Sequence, residues 1–312
     1  MFLSVIICTH NPRPEYLKRV LEALEVQSLS KERWELLLID NASTKPLAEK
    51  WSFFSHPNAF HIREEILGLT EARLRGMKEA KGEYLLFVDD DNLLNSEYLA
   101  HALIILNSMP WLGAIGGQIL PEYEIPPPEW LPLYERVLAI RRVDKARWSN
   151  AIDDWQSQPW GAGMVVRKSV CDRYRFNLEK LPCRKQLGRI GTSLISGEDI
   201  DIVLTALELS LGFGVFPEMQ VTHLIPKRRM TEEYICQIAR GLVASNLWLA
   251  FLRGNPVDLP PKRTLYTEVR QLYQYMNRSR FSRLYEKVTQ SGVDDFKDLV
   301  QAQTLGSRKE LE

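Results

Sequence analysis

Short apolar runs alternate with segments of helical periodicity along the first hundred residues. Three runs have the length and composition of buried strands: Leu3 to Cys8, Glu35 to Ile39 and Tyr84 to Val88. Apolar residues three or four positions apart follow them, at Leu17, Val20, Leu21 and Leu24, at Leu69, Ala72 and Met77, and at Tyr98, Leu99, Ala102, Leu103 and Leu106. This alternation predicts an α/β fold with a mostly parallel central sheet flanked by helices.

A polar cluster directly follows each of the three predicted strands. The clusters are Thr9-His10-Asn11, Asp40-Asn41 and Asp89-Asp90-Asp91. In an open α/β sheet, ligands bind at the edge formed by the carboxyl ends of the strands. The pattern therefore places the three clusters on one edge and predicts that a nucleotide binds there.

The second half of the chain is less regular. The proline-rich segment 121–132 predicts a loop, because proline is excluded from helix interiors and central strands. Gly161-Ala162-Gly163 predicts a turn that leads into a strand. A helix closed by Gly212 is expected from Ile200 onward, followed by separate strands at Val215 and Phe216 and at Val221 to His223. From Thr231 the pattern is helical.

Composition narrows the class of protein. The 312 residues are 45% hydrophobic and 26% charged, with 40 basic and 40 acidic residues, which favours a globular core and disfavours nucleic-acid binding. The four cysteines form no CxxC pair, which favours a reducing compartment. The N-terminal sequence lacks a signal-peptide pattern, and the apolar run 241–252 is shorter than a membrane span. A cytoplasmic protein is expected, with a peripheral position at the inner face of the membrane as an alternative.

Asp89, Asp90 and Asp91 have two interpretations. Neighbouring carboxylates repel one another, and a divalent cation such as Mg²⁺ or Mn²⁺ offsets this repulsion while accepting phosphate oxygens as further ligands. The other interpretation is a solvated acidic turn beside a helix start.

Glu198 and Asp199 also have two interpretations. Ser196 and Asp199 have the spacing of a capping box, which predicts a structural role at a helix N-terminus. Alternatively, one of the two carboxylates is a general base. Both roles are compatible.

Two histidines, His10 and His223, follow predicted strands. A lone histidine is most often a structural hydrogen-bonding residue, but imidazole also binds metal ions or phosphate. Three cations, Lys227, Arg228 and Arg229, follow His223 and are suited either to a diphosphate or to a solvated turn.

The elements in this order resemble the family 2 glycosyltransferases, which have a GT-A fold with a Rossmann-like sheet. The resemblance runs from about Leu3 to His223. It rests on the following pieces: SVIICTHN at 4–11, LIDNAS at 38–43, Gly68-Leu69 with Ala72-Arg73, GEYLLFVDDD at 82–91, Gly161 with Gly163, and Glu198-Asp199.

The resemblance implies inverting transfer of a sugar, with a UDP-sugar favoured, from a nucleotide diphosphate to an acceptor hydroxyl. The implied metal ligands are Asp91 and His223, and the implied base is Asp199, with Glu198 less favoured. The donor-binding residues are Thr9, His10, Asn11, Asp40, Asn41, Arg73, Asp89 and Asp90. The acceptor-binding residues are Trp160, Gly161, Ala162 and Gly163, because an aromatic ring suits the apolar face of a sugar.

Three regions follow from this interpretation. Residues 1–112 form the nucleotide-sugar-binding half, residues 113–230 the acceptor-binding and catalytic half, and residues 231–312 a C-terminal helical extension. The acceptor class is a glycan, a lipid-linked sugar or a protein. Non-catalytic nucleotide-sugar binding is the alternative, as is a membrane-surface scaffold that uses the basic, aromatic stretch 262–287.

Overall fold

A single mixed sheet organises the protein. In the computed structural model, which describes residues 2–49, 56–189, 195–255, 257 and 280–309, nine strands lie in this sheet. The predicted α/β class, with a central sheet flanked by helices, is confirmed.

The first half of the chain supplies the parallel part of the sheet. Strands β1 to β4 pair in parallel in the order β3-β2-β1-β4. The strands are β1 (Leu3–Thr9), β2 (Trp34–Asn41), β3 (Ala59–Glu64) and β4 (Tyr84–Asp89), and the helices are α1 (Pro14–Glu25), α2 (Leu69–Glu79) and α3 (Tyr98–Ser108).

The remaining strands add mostly antiparallel neighbours. They are β5 (Asn92–Leu94), β6 (Leu112–Tyr123), β7 (Arg147–Ser149), β8 (Met164–Arg167) and β9 (Gly212–Ile225). Strand β8 pairs antiparallel with β4 and β6, β5 and β7 pair antiparallel with β9, and β6 and β9 are parallel. The order in the sheet is β3-β2-β1-β4-β8-β6-β9-β5, and β7 pairs with β9. The helices α4 (Lys168–Lys180) and α5 (Glu198–Thr205) also belong to this part of the chain.

The core lies on both faces of this sheet. Side chains alternate along a strand, and in β1 Val5 and Ile7 belong to one buried apolar cluster whereas Ile6 and Cys8 belong to the other. Covering both faces leaves only the strand ends for binding. The predicted α1 face is confirmed, because Leu17 and Leu24 are fully buried.

Among the described residues, two helices follow the sheet: α6 (Glu232–Leu252) and α7 (Arg280–Lys309). Thr231 caps α6 by accepting a hydrogen bond from the Tyr234 amide. By length and composition alone α6 could cross a membrane, but half of its apolar window is buried in the protein. It packs against α7, where Arg240 forms an ion pair with Asp295.

Three details differ from the sequence predictions. The two strands expected around Val215 and Val221 are one strand, β9, because a bulge absorbs the residues between them. The helix that contains Ile202 is α-helical only to Thr205 and continues as a 3-10 turn, Ala206–Leu209. Pro121 lies within β6, beyond the residues that pair with β8, where its missing N–H is tolerated.

Candidate active site

The carboxyl ends of β1, β2 and β4 bring the three polar clusters together. Thr9 is in register with Asp40 on one side, and Cys8 is in register with Asp89 on the other. The Thr9 hydroxyl also donates a hydrogen bond to the Asp90 carboxylate. The single edge expected from the sequence is present.

Asp40 and Asn41 support the loops that surround this edge. The Asp40 carboxylate accepts hydrogen bonds from the amides of Ser43 and Leu47, both at 3.1 Å, and from Arg63 at 2.9 Å. Burial opposes ionisation of Asp40, but these bonds and the Ser43 hydroxyl hold its pKa below the ordinary value. Asn41 accepts a hydrogen bond from the Gly68 amide at 2.8 Å, directly before α2.

His10 and Asn11 form the exposed rim of the edge. A carbonyl oxygen accepts hydrogen bonds, so His10 Nδ1, 2.7 Å from the Asn41 carbonyl, carries the ring proton. Asn11 has a left-handed backbone with φ of 48°. Its amide donates to the Ser43 hydroxyl at 2.9 Å, and its Oδ1 accepts from the Thr44 amide at 2.9 Å. Their outward position suits ligand contact.

Asp91 is the buried member of the aspartate run. It is 7% exposed, and its Oδ2 lies 2.9 Å from Arg229 Nη1 and 3.5 Å from His223 Nε2. Strand pairing supplies this arrangement, because Asn92 of β5 is in register with His223 of β9. Burial would raise the pKa of Asp91, but His223 and Arg229 hold it well below the ordinary value.

The other two aspartates differ from Asp91. The Asp89 side chain is 40% exposed, and its Oδ1 lies 3.8 Å from Arg73 Nη2. Burial and the adjacent charge of Asp91 raise the pKa of Asp90 above the ordinary range. The environment of Asp91 therefore favours the charged carboxylate, whereas that of Asp90 disfavours it.

Arg73 connects this aspartate run to Glu198. It lies on α2, is 5% exposed, and places Nη1 3.5 Å from Glu198 Oε2. Glu198 is 3% exposed. Burial raises its pKa, and the positive charge of Arg73 opposes that rise. Glu198 is thus enclosed behind Arg73, whose guanidinium faces Asp89.

Asp199 lies one residue further along α5 and is partly exposed. Its Oδ2 accepts a hydrogen bond from the Gly161 amide at 2.8 Å, and its Oδ1 accepts one from the Ile200 amide at 2.9 Å. The capping box predicted from Ser196 and Asp199 is wrong: Gly197 precedes the helix, and no side chain caps it. The Asp199 carboxylate instead faces the glycine turn.

The turn at Gly161 and Gly163 requires small residues. A Cβ on Gly161 would lie 3.1 Å from Arg73 Nη2 and 3.2 Å from Asp199 Oδ2. Gly163 has φ of 77°, and a Cβ there would lie 2.6 Å from the Tyr98 hydroxyl. Ala162, between them, is buried at 7% exposure. The glycine turn predicted from the sequence is confirmed and borders both Arg73 and Asp199.

Buried polar residues that the sequence did not single out hold α5 in place. Asp201, with no exposed surface, accepts hydrogen bonds from Arg184 Nη1 at 2.9 Å and Arg253 Nε at 2.8 Å. The buried Ser245 of α6 accepts a hydrogen bond from the Ser196 amide at 2.7 Å. Asp201, one turn after Glu198 on a helix with apolar neighbours, is the only sequence signal for this anchoring.

Trp160 and Trp155 lie beside the glycine turn. The Arg136 guanidinium stacks over Trp155 at 4.1 Å and approaches Trp160 at 5.7 Å, while Arg141 lies 5.0 Å over Trp160. Trp155 is 50% exposed, whereas Trp160 is partly buried and packs against the core. The Arg136 guanidinium is thus common to both rings, and Trp160 directly precedes Gly161.

Asp91 and His223 have the right chemistry for a divalent cation. A carboxylate oxygen and an imidazole nitrogen face each other, and a cationic group of the protein already lies against both. Among the described residues, no cluster of three or more His, Cys, Asp or Glu side chains could hold a metal. For a divalent cation at this position, Asp91 and His223 would supply two ligands, and phosphate oxygens and water would complete the shell.

The amino-acid sequence matches known proteins over its first half. Residues 4–155 match the family model Glycosyl transferase family 2. The poly(ribitol-phosphate) beta-N-acetylglucosaminyltransferase TarS of Staphylococcus aureus is 29% identical over 110 residues, 34% of this chain. Glycosyltransferase AglE of Haloferax volcanii is 28% identical over 121 residues, 38% of this chain. The matched segments span 19% of TarS and 39% of AglE.

Solved structures extend the similarity to nearly the whole chain. Residues 1–349 of S. aureus TarS, in complex with UDP-GlcNAc, superimpose with a TM-score of 0.51 and 16% identity, covering 98% of this chain and 92% of that fragment. The mannosyltransferase PcManGT of Pyrobaculum calidifontis, in complex with GDP-Man and Mn²⁺, gives a TM-score of 0.51 and 16% identity, covering 99% and 80%. At this identity the likeness shows the GT-A fold.

Proposed function

We propose that this chain, which belongs to the family 2 glycosyltransferases by its match at residues 4–155, transfers a sugar from a nucleotide diphosphate to an acceptor hydroxyl with inversion. One observation carries the proposal. Arg73 lies between Asp89, at the donor edge of the sheet, and the α5 segment that presents Asp199. The groups that we propose to bind the donor and to accept the proton therefore lie close together.

The donor would occupy the edge formed by β1, β2 and β4. Its base and ribose would contact Thr9, His10, Asn11, Asp40 and Asn41, and Asp89, Asp90 and Arg73 would contact the ribose, the sugar and the phosphates. A UDP-sugar is favoured, in line with the UDP-GlcNAc complex of the TarS structure. A GDP-sugar is the comparison to test, since PcManGT holds GDP-Man.

Asp91 and His223 would hold Mg²⁺ or Mn²⁺ together with the diphosphate oxygens. When bound, the ion would stabilise the negative charge that develops on the leaving diphosphate. The structural neighbour that contains Mn²⁺ supports the use of a divalent cation.

Asp199 would be the general base. In one displacement, the bond between the anomeric carbon and the diphosphate oxygen breaks as the bond to the acceptor oxygen forms, and the acceptor proton passes to the Asp199 carboxylate. The Gly161 amide holds this carboxylate in orientation. Glu198 is buried behind Arg73 and would instead position the guanidinium.

The acceptor would approach over Trp160 and the turn Gly161-Ala162-Gly163. An aromatic ring buries the apolar face of a sugar with little loss of side-chain entropy. A glycan, a lipid-linked sugar or a protein-bound sugar all present such a face. For the lipid-linked case we further propose a cytoplasmic protein with peripheral contact at the inner face of the membrane. Most of the basic, aromatic stretch at 262–287 lies outside the described residues.

A thermal-shift panel tests the donor site. UDP, GDP, UDP-GlcNAc and GDP-Man are compared with and without Mn²⁺, and a ligand at 100 times its Kd should add about 2.7 kcal/mol of stability. Asp91→Asn should remove the Mn²⁺-dependent part of this stabilisation, whereas Asp298→Asn, on the exposed surface of α7, should keep it. Equal stabilisation of both variants would show that Asp91 holds no cation.

A turnover assay separates transfer from mere binding. Incubation of a stabilising nucleotide sugar with an acceptor panel should release nucleoside diphosphate, and NMR of the glycoside should show the anomeric configuration opposite to that of the donor. Tight donor binding without release under any acceptor would favour the non-catalytic alternative.

A further inference from the structure

Arg229 occupies the centre at which Asp91 and His223 meet. Its Nη1 lies 2.9 Å from Asp91 Oδ2 and 3.1 Å from His223 Nε2, and these two atoms are 3.5 Å apart. The residue is placed there by the 3-10 turn Lys227–Arg229, which directly follows β9. One nitrogen of the guanidinium therefore contacts both proposed metal ligands.

Two ligand atoms face the same nitrogen of Arg229. Nε2 of His223 and Oδ2 of Asp91 both lie within hydrogen-bond distance of its Nη1. An imidazole nitrogen and a carboxylate oxygen are also the atoms that a divalent cation would use at this position.

The guanidinium and an ion cannot share these atoms. A bound Mg²⁺ would lie about 2.0–2.1 Å from its oxygen ligands, inside the space that the Nη1 group fills. The buried Asp91 carboxylate in turn needs one of the two cations, because an unpaired buried charge is costly. Arg229 and a metal ion therefore cannot contact these two atoms at the same time.

We propose that Arg229 is an internal competitor of the divalent cation: it neutralises Asp91 in the metal-free protein and is displaced when the ion binds. This inference rests on the metal site of the proposed function. It has two consequences. The ion alone binds weakly, since it must break both contacts of Arg229. A nucleoside diphosphate strengthens metal binding, because its phosphates offer the displaced guanidinium a new partner.

Direct metal titration tests the inference without any turnover. The affinity for Mn²⁺ is measured by calorimetry, or by the electron paramagnetic resonance signal of free Mn²⁺, in the full-length wild type and in Arg229→Gln. We expect the variant to bind Mn²⁺ about tenfold more tightly. Arg228→Gln is the matched control, because it removes the same charge from an exposed neighbour and should leave the affinity at the wild-type value.

A second titration in the presence of UDP measures the coupling. UDP should raise the Mn²⁺ affinity of the wild type more than that of Arg229→Gln, because the variant has no guanidinium to transfer. Arg229→Lys covers the case in which the glutamine variant does not fold. Lysine keeps the charge but presents it as a compact point charge on a flexible stem, without the fixed planar geometry of the guanidinium. The Mn²⁺ affinity of this variant should therefore also exceed that of the wild type.

The outcomes separate this inference from the proposed function. If the wild type binds Mn²⁺ and the folded Arg229 variants bind it with equal or lower affinity, the competitor role is overturned. The metal site of the proposed function is then still supported. No Mn²⁺ binding to any of the proteins, with or without UDP, overturns both.

Discussion

The amide of Gly161 donates a hydrogen bond to Oδ2 of Asp199, with 2.8 Å between the two atoms. This bond fixes the carboxylate at the glycine turn, beside the Arg73 guanidinium. A base that is oriented before the acceptor arrives loses little conformational freedom in the transition state.

Asp199→Asn should lower kcat while leaving donor binding intact. An amide of the same shape cannot take up the acceptor proton, so the expected loss is on the order of 10²–10⁴. Steady-state kinetics give kcat, and calorimetry with the nucleotide sugar gives the donor Kd, which should remain within about twofold of the wild-type value. Normal turnover would exclude Asp199 as the base.

Glu198→Gln should act mainly on stability and on the donor. Removing the buried charge deprives the Arg73 guanidinium of a partner, and breaking such a pair costs about 3 kcal/mol in the free energy of unfolding. Urea unfolding measures this loss, and the donor KM should rise as Arg73 shifts. If the variant keeps its stability and loses turnover as Asp199→Asn does, Glu198 is the base.

Trp160→Ala should raise the acceptor KM or lower kcat with no change in donor affinity. The indole lies next to Gly161, and in the proposed function its partly exposed surface would contact a sugar ring. Trp155→Ala is the comparison at an exposed ring. If this variant also binds the acceptor more weakly, the acceptor subsite extends to Trp155. A fall in donor affinity in parallel with stability would assign Trp160 to the core and displace the acceptor site.

The free energy of unfolding should decrease in acid because of His56. Its Nδ1 accepts a hydrogen bond from the Asn58 amide at 3.1 Å, and burial against Trp34 lowers its pKa from 6.5 to about 4. The unfolded chain takes up the proton near pH 6.5 and the folded one only near pH 4. The contribution of neutral His56 to the free energy of unfolding is therefore complete above pH 6.5. It is lost as the pH falls from 6.5 towards 4, by at most about 1.4 kcal/mol per pH unit.

His56→Phe removes this titration. Urea unfolding between pH 7.5 and pH 4.5 should show a shallower decline for this variant than for the wild type. His101→Gln removes a histidine from α3 and should decline as the wild type does. Parallel curves for all three proteins would contradict the role of His56.

Much of the donor edge was predictable because local pattern determines it. A buried run such as Tyr84 to Val88 makes a strand, and parallel pairing then brings Cys8 and Asp89 into register. The partners of Asp91 were harder to predict. His223 reaches it through antiparallel pairing of β5 with β9, a long-range contact that no local periodicity records.

The role of Asp199 shows the opposite problem. Its spacing from Ser196 predicted a helix cap, but tertiary contacts decided the outcome: the Ser196 amide bonds to Ser245 of α6, and the Asp199 carboxylate bonds to Gly161. Capping spacing describes a helix in isolation. Where packing against a distant segment offers a better partner, the local signal gives the wrong geometry although it identifies the right residues.

The hydrogen bonds from Arg253 to Asp201 limit how far the chain can be shortened. A polypeptide ending near residue 230 would retain Asp91, Asp199, His223 and Arg229, and by its residue content would pass for a minimal transferase. It would nevertheless lack Arg253 and Ser245, leaving the buried Asp201 with Arg184 alone and the Ser196 amide without its acceptor. The segment that presents Asp199 would lose its rear support, so engineering for a smaller enzyme should preserve α6 through Arg253.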